Sequence, residues 1–207
     1  NTGELAIKHL ALAEASLARG ATSRAVSEAR TAVRLSKAVN VAVPAAFVFV
    51  EAGQEQSARQ IAGDLEKRLQ NQTTAYARVI VGAAALKQQR FAEALDALRD
   101  AQRRHDAWFV RFLLARTYLE AGGHETEALE ELERCYKRRG EVTDAFFVDS
   151  PSLRYLPPLY YWLGRAREAV GTTDSAMAAY REYVKARAAA ARDPLLADAR
   201  RRLGAAR

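Results

Sequence analysis

Phe112 and Arg116, and again Tyr161 and Arg165, place an aromatic ring four residues ahead of a guanidinium. Aromatic residues and arginine are the side chains that most often carry binding energy at protein interfaces. On a helix this spacing puts both groups on one stripe. The ring could take an apolar side chain there, and the guanidinium a carboxylate in bidentate fashion. Tyr76 with Val79 and Ala83, Phe109 beside Phe112, and Val43 with Phe47 extend the same kind of stripe; the alternative for Phe109 and Phe112 is burial against the neighbouring helix. The chemistry these residues offer is recognition. Candidates for catalysis or metal binding are poor by comparison. His9, His105 and His124 have no i, i+4 partner and no neighbouring cysteine, so they read as surface or helix-end residues. Cys135 is the single cysteine, which excludes an internal disulfide and fits a packed core position. Glu130, Glu131 and Glu133 are near neighbours on one helix and read as a solvated face. No glycine-rich phosphate loop, G-x-S-x-G or H-E-x-x-H occurs. Neither enzyme activity nor a cofactor or metal is expected.

The elements that must position the stripes are helices. Alanine makes up about a fifth of the chain, strong helix formers dominate, and prolines number only 5. Apolar residues recur at three- and four-residue steps, as in Ala94, Leu95, Leu98 and Ala101. Breaks fall at Gly20, Val39-Asn40, Gly53, Asn71-Gln72, Gln88-Gln89, Gly122-Gly123, Gly140 and Gly171. A small residue follows soon after alternate breaks, at Ala25, Ala58, Ala94, Ala128 and Ala176, with separations of 33, 36, 34 and 48. The first three scatter around a period of 34, and the last is one period with an insertion ahead of it. A period of this size, in helical sequence, signals stacked helix pairs. The alternative is a non-repetitive helical bundle.

The residues at the landmarks resemble the tetratricopeptide repeat. The fifth unit reads Tyr160-x2-Leu163-Gly164-x2-Arg167, turns at Gly171, and continues Ala176-x3-Tyr180. The third reads Arg78-x2-Val81-Gly82-x2-Ala85, then Ala94-x3-Leu98, and the fourth Arg111-x2-Leu114-Ala115-x2-Tyr118, then Ala128-x3-Leu132. The first offers Leu12-Ala13, Gly20, Ala25 and Ala29; the second offers Ala45-Ala46, Phe49, Gly53, Ala58 and Ala62, with Pro44 near its start. Each pair thus has a small residue where two helices can cross closely and a larger one beside it. No unit ends in the family's proline, and the first two lack the aromatic of the first helix. The resemblance implies an all-α, right-handed superhelical solenoid of about five antiparallel helix pairs plus a C-terminal capping helix.

On this reading the chain is one domain with units at roughly 4–38, 39–71, 73–105, 107–140 and 157–188, an insertion at 141–156 and a capping helix at 193–207. Asp193 caps that last helix and Pro194 opens it, with Leu195, Leu196, Ala199 and Leu203 on one stripe and Arg200 to Arg202 outward. The insertion carries Phe146, Phe147, Arg154 and Tyr155 and runs into Tyr160, Tyr161 and Trp162. These aromatics either staple the loop to the array or contact a partner. The terminal units resemble those of tetratricopeptide arrays in large bacterial multidomain proteins, including serine/threonine kinases, which implies a regulatory or assembly role. The chain begins at Asn1 and its only methionine is Met177, so it is expected to be cut from a longer protein.

Charge narrows the partner. Arginine supplies 26 of the 32 basic residues, against 25 acidic ones, for a net charge of +7. The basic residues are interleaved with acids, and Arg103-Arg104 and Lys137-Arg138-Arg139 close apparent helices, where positive charge complements the helix dipole. A net +7 alone is weak evidence for nucleic acid. No stretch approaches a membrane span. The expected role is a scaffold that binds a peptide or protein in a concave groove lined by Tyr76, Phe109, Phe112, Arg116, Tyr161 and Arg165, with preference for an acidic or C-terminal carboxylate. Some family members grip chaperone tails with a clamp of lysine, arginine and asparagine; the corresponding stripe here has Leu10, Glu14, Val43, Phe47, Val79 and Ala83, so that clamp is missing. The other readings are a nucleic-acid-binding helical repeat, favoured only by charge, and a self-association module that uses the aromatic insertion. The compartment, cytoplasmic or periplasmic, stays open.

Overall fold

Five turn residues at positive φ, Gly20, Gly53, Gly122, Gly123 and Gly171, let one helix of a pair reverse into the next without steric cost. Gln89, at φ 59, makes the same reversal without a glycine. The structure is a computed structural model that describes residues 1–144, 156–190 and 193–205. Among the described residues there are eleven α-helices and no strand.

By contacts the chain divides into two compact units, Asn1–Asp106 and Ala107–Arg207. The N-terminal unit holds three helix pairs: α1 (Thr2–Ala18) with α2 (Thr22–Leu35), α3 (Val39–Glu51) with α4 (Glu55–Glu66), and α5 (Asn71–Lys87) with α6 (Phe91–Arg104). Each helix packs on the next, and the first helices also meet one another, α1 on α3 and α3 on α5. α3 is therefore enclosed by α1, α2, α4 and α5, and every residue from Val41 to Val50 is buried. A helix that is apolar all round can only sit in such a place. It runs unbroken through Pro44, which lies in its second turn.

The C-terminal unit holds α7 (Trp108–Ala121) with α8 (Glu125–Lys137), a 3₁₀ turn (Arg139–Asp144), α9 (Leu156–Ala169) with α10 (Thr173–Ala186), and α11 (Pro194–Ala205). Trp108 and Cys135 clip the first of these pairs together. The indole donates to the Cys135 carbonyl at 2.8 Å, and the thiol donates to the Trp108 carbonyl at 3.6 Å. Asp193 caps α11 by accepting from the Leu195 amide at 3.0 Å. Leu196 and Ala199 of α11 are buried, while Leu195 and Leu203 are half-buried.

The small residues sit at helix crossings in both units. Ala25, Ala58, Ala94, Ala128 and Ala176 are all fully buried. A Cβ on Gly82 would lie 2.6 Å from Leu98 Cγ, and a Cβ on Gly164 would lie 2.6 Å from Tyr180 Cε1. Those separations are far inside van der Waals contact, so only glycine allows α5 to meet α6, and α9 to meet α10, at this distance.

Candidate functional site

The residues expected to line a groove divide by type. The aromatic rings are buried: Tyr76 is 5% exposed, Phe109 1%, Phe112 3% and Tyr161 3%. Phe112 stacks on Trp108 with centroids 5.4 Å apart and tilts against Phe109 at 6.2 Å. Tyr76 meets His105 edge-on at 6.1 Å, and its hydroxyl accepts from Gln72 at 3.0 Å. Tyr161 lies among Trp162, Tyr180 and Tyr183. The expectation that these rings receive a partner's apolar side chain is corrected by this packing. α7 is apolar on nearly its whole circumference, so its rings turn inward as core. Phe146, Phe147, Arg154 and Tyr155 lie outside the described residues.

The arginines remain at the surface. Arg116 is half-buried, ion-paired with Glu120 at 2.6 Å, and its guanidinium lies 5.3 Å from the centroid of the Trp162 ring on α9. The ring that Arg116 faces is thus Trp162 and not Phe112. Arg165, one turn beyond Tyr161 on α9, donates to the Tyr161 hydroxyl at 3.3 Å and has no carboxylate partner among the described residues. The Tyr161 hydroxyl in turn donates to Asp198 of α11 at 2.8 Å. Burial pushes the Tyr161 phenol above its ordinary range.

Two further expectations change. Arg202 does not point outward with Arg200 and Arg201. It pairs with Glu168 of α9 and with Asp198 at 2.7 Å, and lies over the Tyr180 ring. Tyr180 donates to Glu168 at 2.9 Å and Tyr183 to Asp193 at 2.7 Å; burial first, and these carboxylates next, raise both phenols far above the usual range. Of the three glutamates read as a solvated face, only Glu130 is exposed. Glu131 meets Arg111 at 2.5 Å, with each side chain 12% exposed, and Glu133 accepts from Arg167 at 2.6 Å. Both ties join α8 to first helices of the same unit.

A cleft of about 860 Å³ lies between α4 and α6, with Arg78 and Val81 of α5 at its floor. Its charges are paired with one another except for exposed Asp96, which has no ion-pair partner among the described residues. Arg59 joins Glu55 at 2.7 Å to Glu93 at 2.5 Å, Arg90 pairs with Glu55 and with Glu93 at 2.9 Å, and Asp100 receives Arg78 at 3.1 Å and Arg104 at 3.0 Å. The hydrogen bond from Arg90, then that from Arg59, holds the Glu55 carboxyl below its ordinary value, and Arg59 does the same for Glu93. Burial works against ionisation of Asp100, yet the arginines around it leave it lowered as well. This network was not anticipated from the sequence. Its signal is the repeat period itself: Arg59 and Glu93 are 34 residues apart, as are Glu133 and Arg167, and Glu168 and Arg202. Among the described residues no group of histidine, cysteine and carboxylate side chains could hold a metal ion, and no helix is long and apolar enough to cross a membrane.

An all-helical chain of successive antiparallel pairs, crossing on glycine and alanine at a period near 34, has the tetratricopeptide-repeat fold. A solved structure bears this out: a thermophilic TPR protein, TTC0263 of Thermus thermophilus, superposes with a TM-score of 0.60 at 18% identity, covering 97% of this chain and 98% of that one. The MamA protein gives a TM-score of 0.48 at 18% identity, covering 89% of this chain and 93% of its own. No protein-family model and no curated protein matches the sequence.

Proposed function

We propose that this chain is a protein-interaction module that reads a carboxylate-bearing segment, acidic or C-terminal, at the α7–α9 face of its C-terminal unit. The supporting observation is the reach of Arg116 from α7 onto Trp162 of α9, the helix that also carries Arg165. Two guanidiniums on neighbouring first helices form a fork for a carboxylate, and the indole beneath Arg116 fixes one of them in place. Arg165 meets only a phenol oxygen among the described residues, so it keeps donors for a ligand.

The test is an array of short peptides with a leucine or aromatic residue near a free C-terminal carboxylate, beside the same peptides amidated. Arg116→Ala and Arg165→Ala should each weaken binding of the free-acid peptides by roughly ten-fold, the value of about 1.4 kcal/mol. Arg200→Ala, on the outer side of α11, should leave it unchanged. Equal loss in all three variants would remove the α7–α9 assignment. A sharp fall in melting temperature for Arg116→Ala would make that arginine a structural ion-pair partner of Glu120 instead.

A further inference from the structure

The cleft between α2 and α4, in the N-terminal unit, carries positive charge that its own acid does not neutralise. Arg30 and Arg34 stand on one stripe of α2, Lys37 lies in the extended link just past its end, and all three are exposed. Arg30 donates to the neutral Gln54 side chain at 3.3 Å, and Arg34 to the Thr31 hydroxyl at 3.4 Å. The Lys37 ammonium has no partner among the described residues. Asp64, the one acid among the lining residues, is already engaged by Lys67 at 3.1 Å. Beneath this rim the cleft is apolar: Phe49 of α3 and Ile61 of α4 form a buried floor beside half-buried Val33. Its volume is about 350 Å³.

We infer that the α2–α4 cleft binds an acidic peptide segment, which sets one leucine- or phenylalanine-sized side chain on Phe49 and Ile61 while its carboxylates meet Arg30, Arg34 and Lys37. Charge complementarity selects the ligand. Three cations lie above an apolar floor: Arg30 and Arg34 are spaced by about 6 Å of helix rise, and Lys37 follows in the extended link past the end of α2. An extended peptide repeats its side chains on one face every ~6.6 Å, so acids two residues apart reach successive cations. A peptide fits better than a nucleic acid, because the floor offers a buried phenylalanine and an isoleucine and no exposed ring for a base to stack on. The cleft also exists before ligand arrives. Arg68 donates to the Lys37 carbonyl at 2.6 Å, tying the end of α4 to the link that follows α2, so little ordering is left to do on binding. This site is separate from the Arg116–Arg165 face and stands whether or not that reading holds.

The experiment uses the full chain and a labelled synthetic peptide with three glutamates around one leucine. Fluorescence anisotropy follows binding at physiological salt. Comparison ligands replace the glutamates by glutamine or the leucine by glycine, and a short single-stranded RNA of matched charge is run in parallel. The acidic peptide should bind. The charge reversals Arg34→Glu and Lys37→Glu together should weaken it at least ten-fold with the melting temperature unchanged, and Arg116→Ala with Arg165→Ala should not affect it. Removal of the leucine should cost several-fold. Three results would overturn the inference: binding that survives the charge reversals, binding that is lost with the Arg116 and Arg165 changes, or RNA binding tighter than the peptide. The second would leave the α7–α9 reading standing and remove this one.

Discussion

The α2–α4 and α4–α6 clefts are built alike, each from two successive second helices over a first helix, yet they treat charge in opposite ways. In the α4–α6 cleft Arg59, Arg78 and Arg104 each meet a carboxylate, and they lower the carboxyls of Glu93 and Asp100. In the α2–α4 cleft Arg30 and Arg34 meet only neutral oxygens, and the Lys37 ammonium meets no partner among the described residues. A repeat architecture fixes where clefts form and leaves their charge to the individual sequence. A cleft whose ions are mutually satisfied fastens neighbouring pairs, whereas one with uncompensated ions has donors left for a partner.

The largest effect should come from the α5–α6 crossing beside the self-satisfied cleft. Gly82→Val forces a branched side chain into Leu98, and overpacking of this kind costs about 2–3 kcal/mol. Urea unfolding should show the loss as a lower midpoint. Arg34→Ala, at the rim of the other cleft, should stay within about 0.5 kcal/mol of the parent. A comparable loss in the two variants would show that the α5–α6 crossing is no tighter than an exposed rim position.

Arg59→Ala should rank next. It removes the link from Glu55 to Glu93, but with 37% of the Arg59 side chain in solvent the loss should be only ~1 kcal/mol. Thermal melts at low and high salt check the cause, because screening should narrow the gap between variant and parent. The Arg34→Ala melt should show no such gap at either salt.

The smallest effect is a pH dependence. The folded protein lowers the Glu55 and Glu93 carboxyls below their ordinary value of 4.5, so the stability they contribute is complete above that pH. It is lost as pH falls through the depressed folded values, because the unfolded chain takes up protons first. Melting curves below pH 4.5 should therefore decline less steeply in a Glu55→Gln, Glu93→Gln double variant than in the parent. Parallel slopes would show that these carboxyls are not held by Arg59 and Arg90.

Steric features of the fold were legible in the sequence, because they are local and recur. Gly82 with Leu98, and Gly164 with Tyr180, stand at fixed offsets within a pair, so the small-then-large pattern exposes each crossing. The aromatic-then-arginine stripe was legible as spacing but not as orientation. α3 and α7 are apolar around nearly their whole circumference, and periodicity cannot tell an inward face from an outward one on such a helix. That is why Phe112 proved to be core while Arg116 stayed near the surface. The α2 cations carried a weak signal: Arg30, Arg34 and Lys37 have no acid three or four residues away on either side. What that meant depended on α4, whose Ile61 and Gln60 arrive from a different pair.

The ion pairs spanning one period also bear on how freely the array could be rearranged. The tie between the second and third pairs runs from Arg59, one residue after its landmark alanine, to Glu93, one residue before the next. The tie between the fourth and fifth runs from Glu133, five residues after its landmark, to Arg167, nine residues before. These two junctions therefore have different combinations, like differently cut keys. A helix pair duplicated or moved to another slot would bring an arginine to a place with no acid, or an acid to one with no arginine. Its backbone would stack, but its side chains would reject the new neighbour, so the order of the pairs is written into their charges.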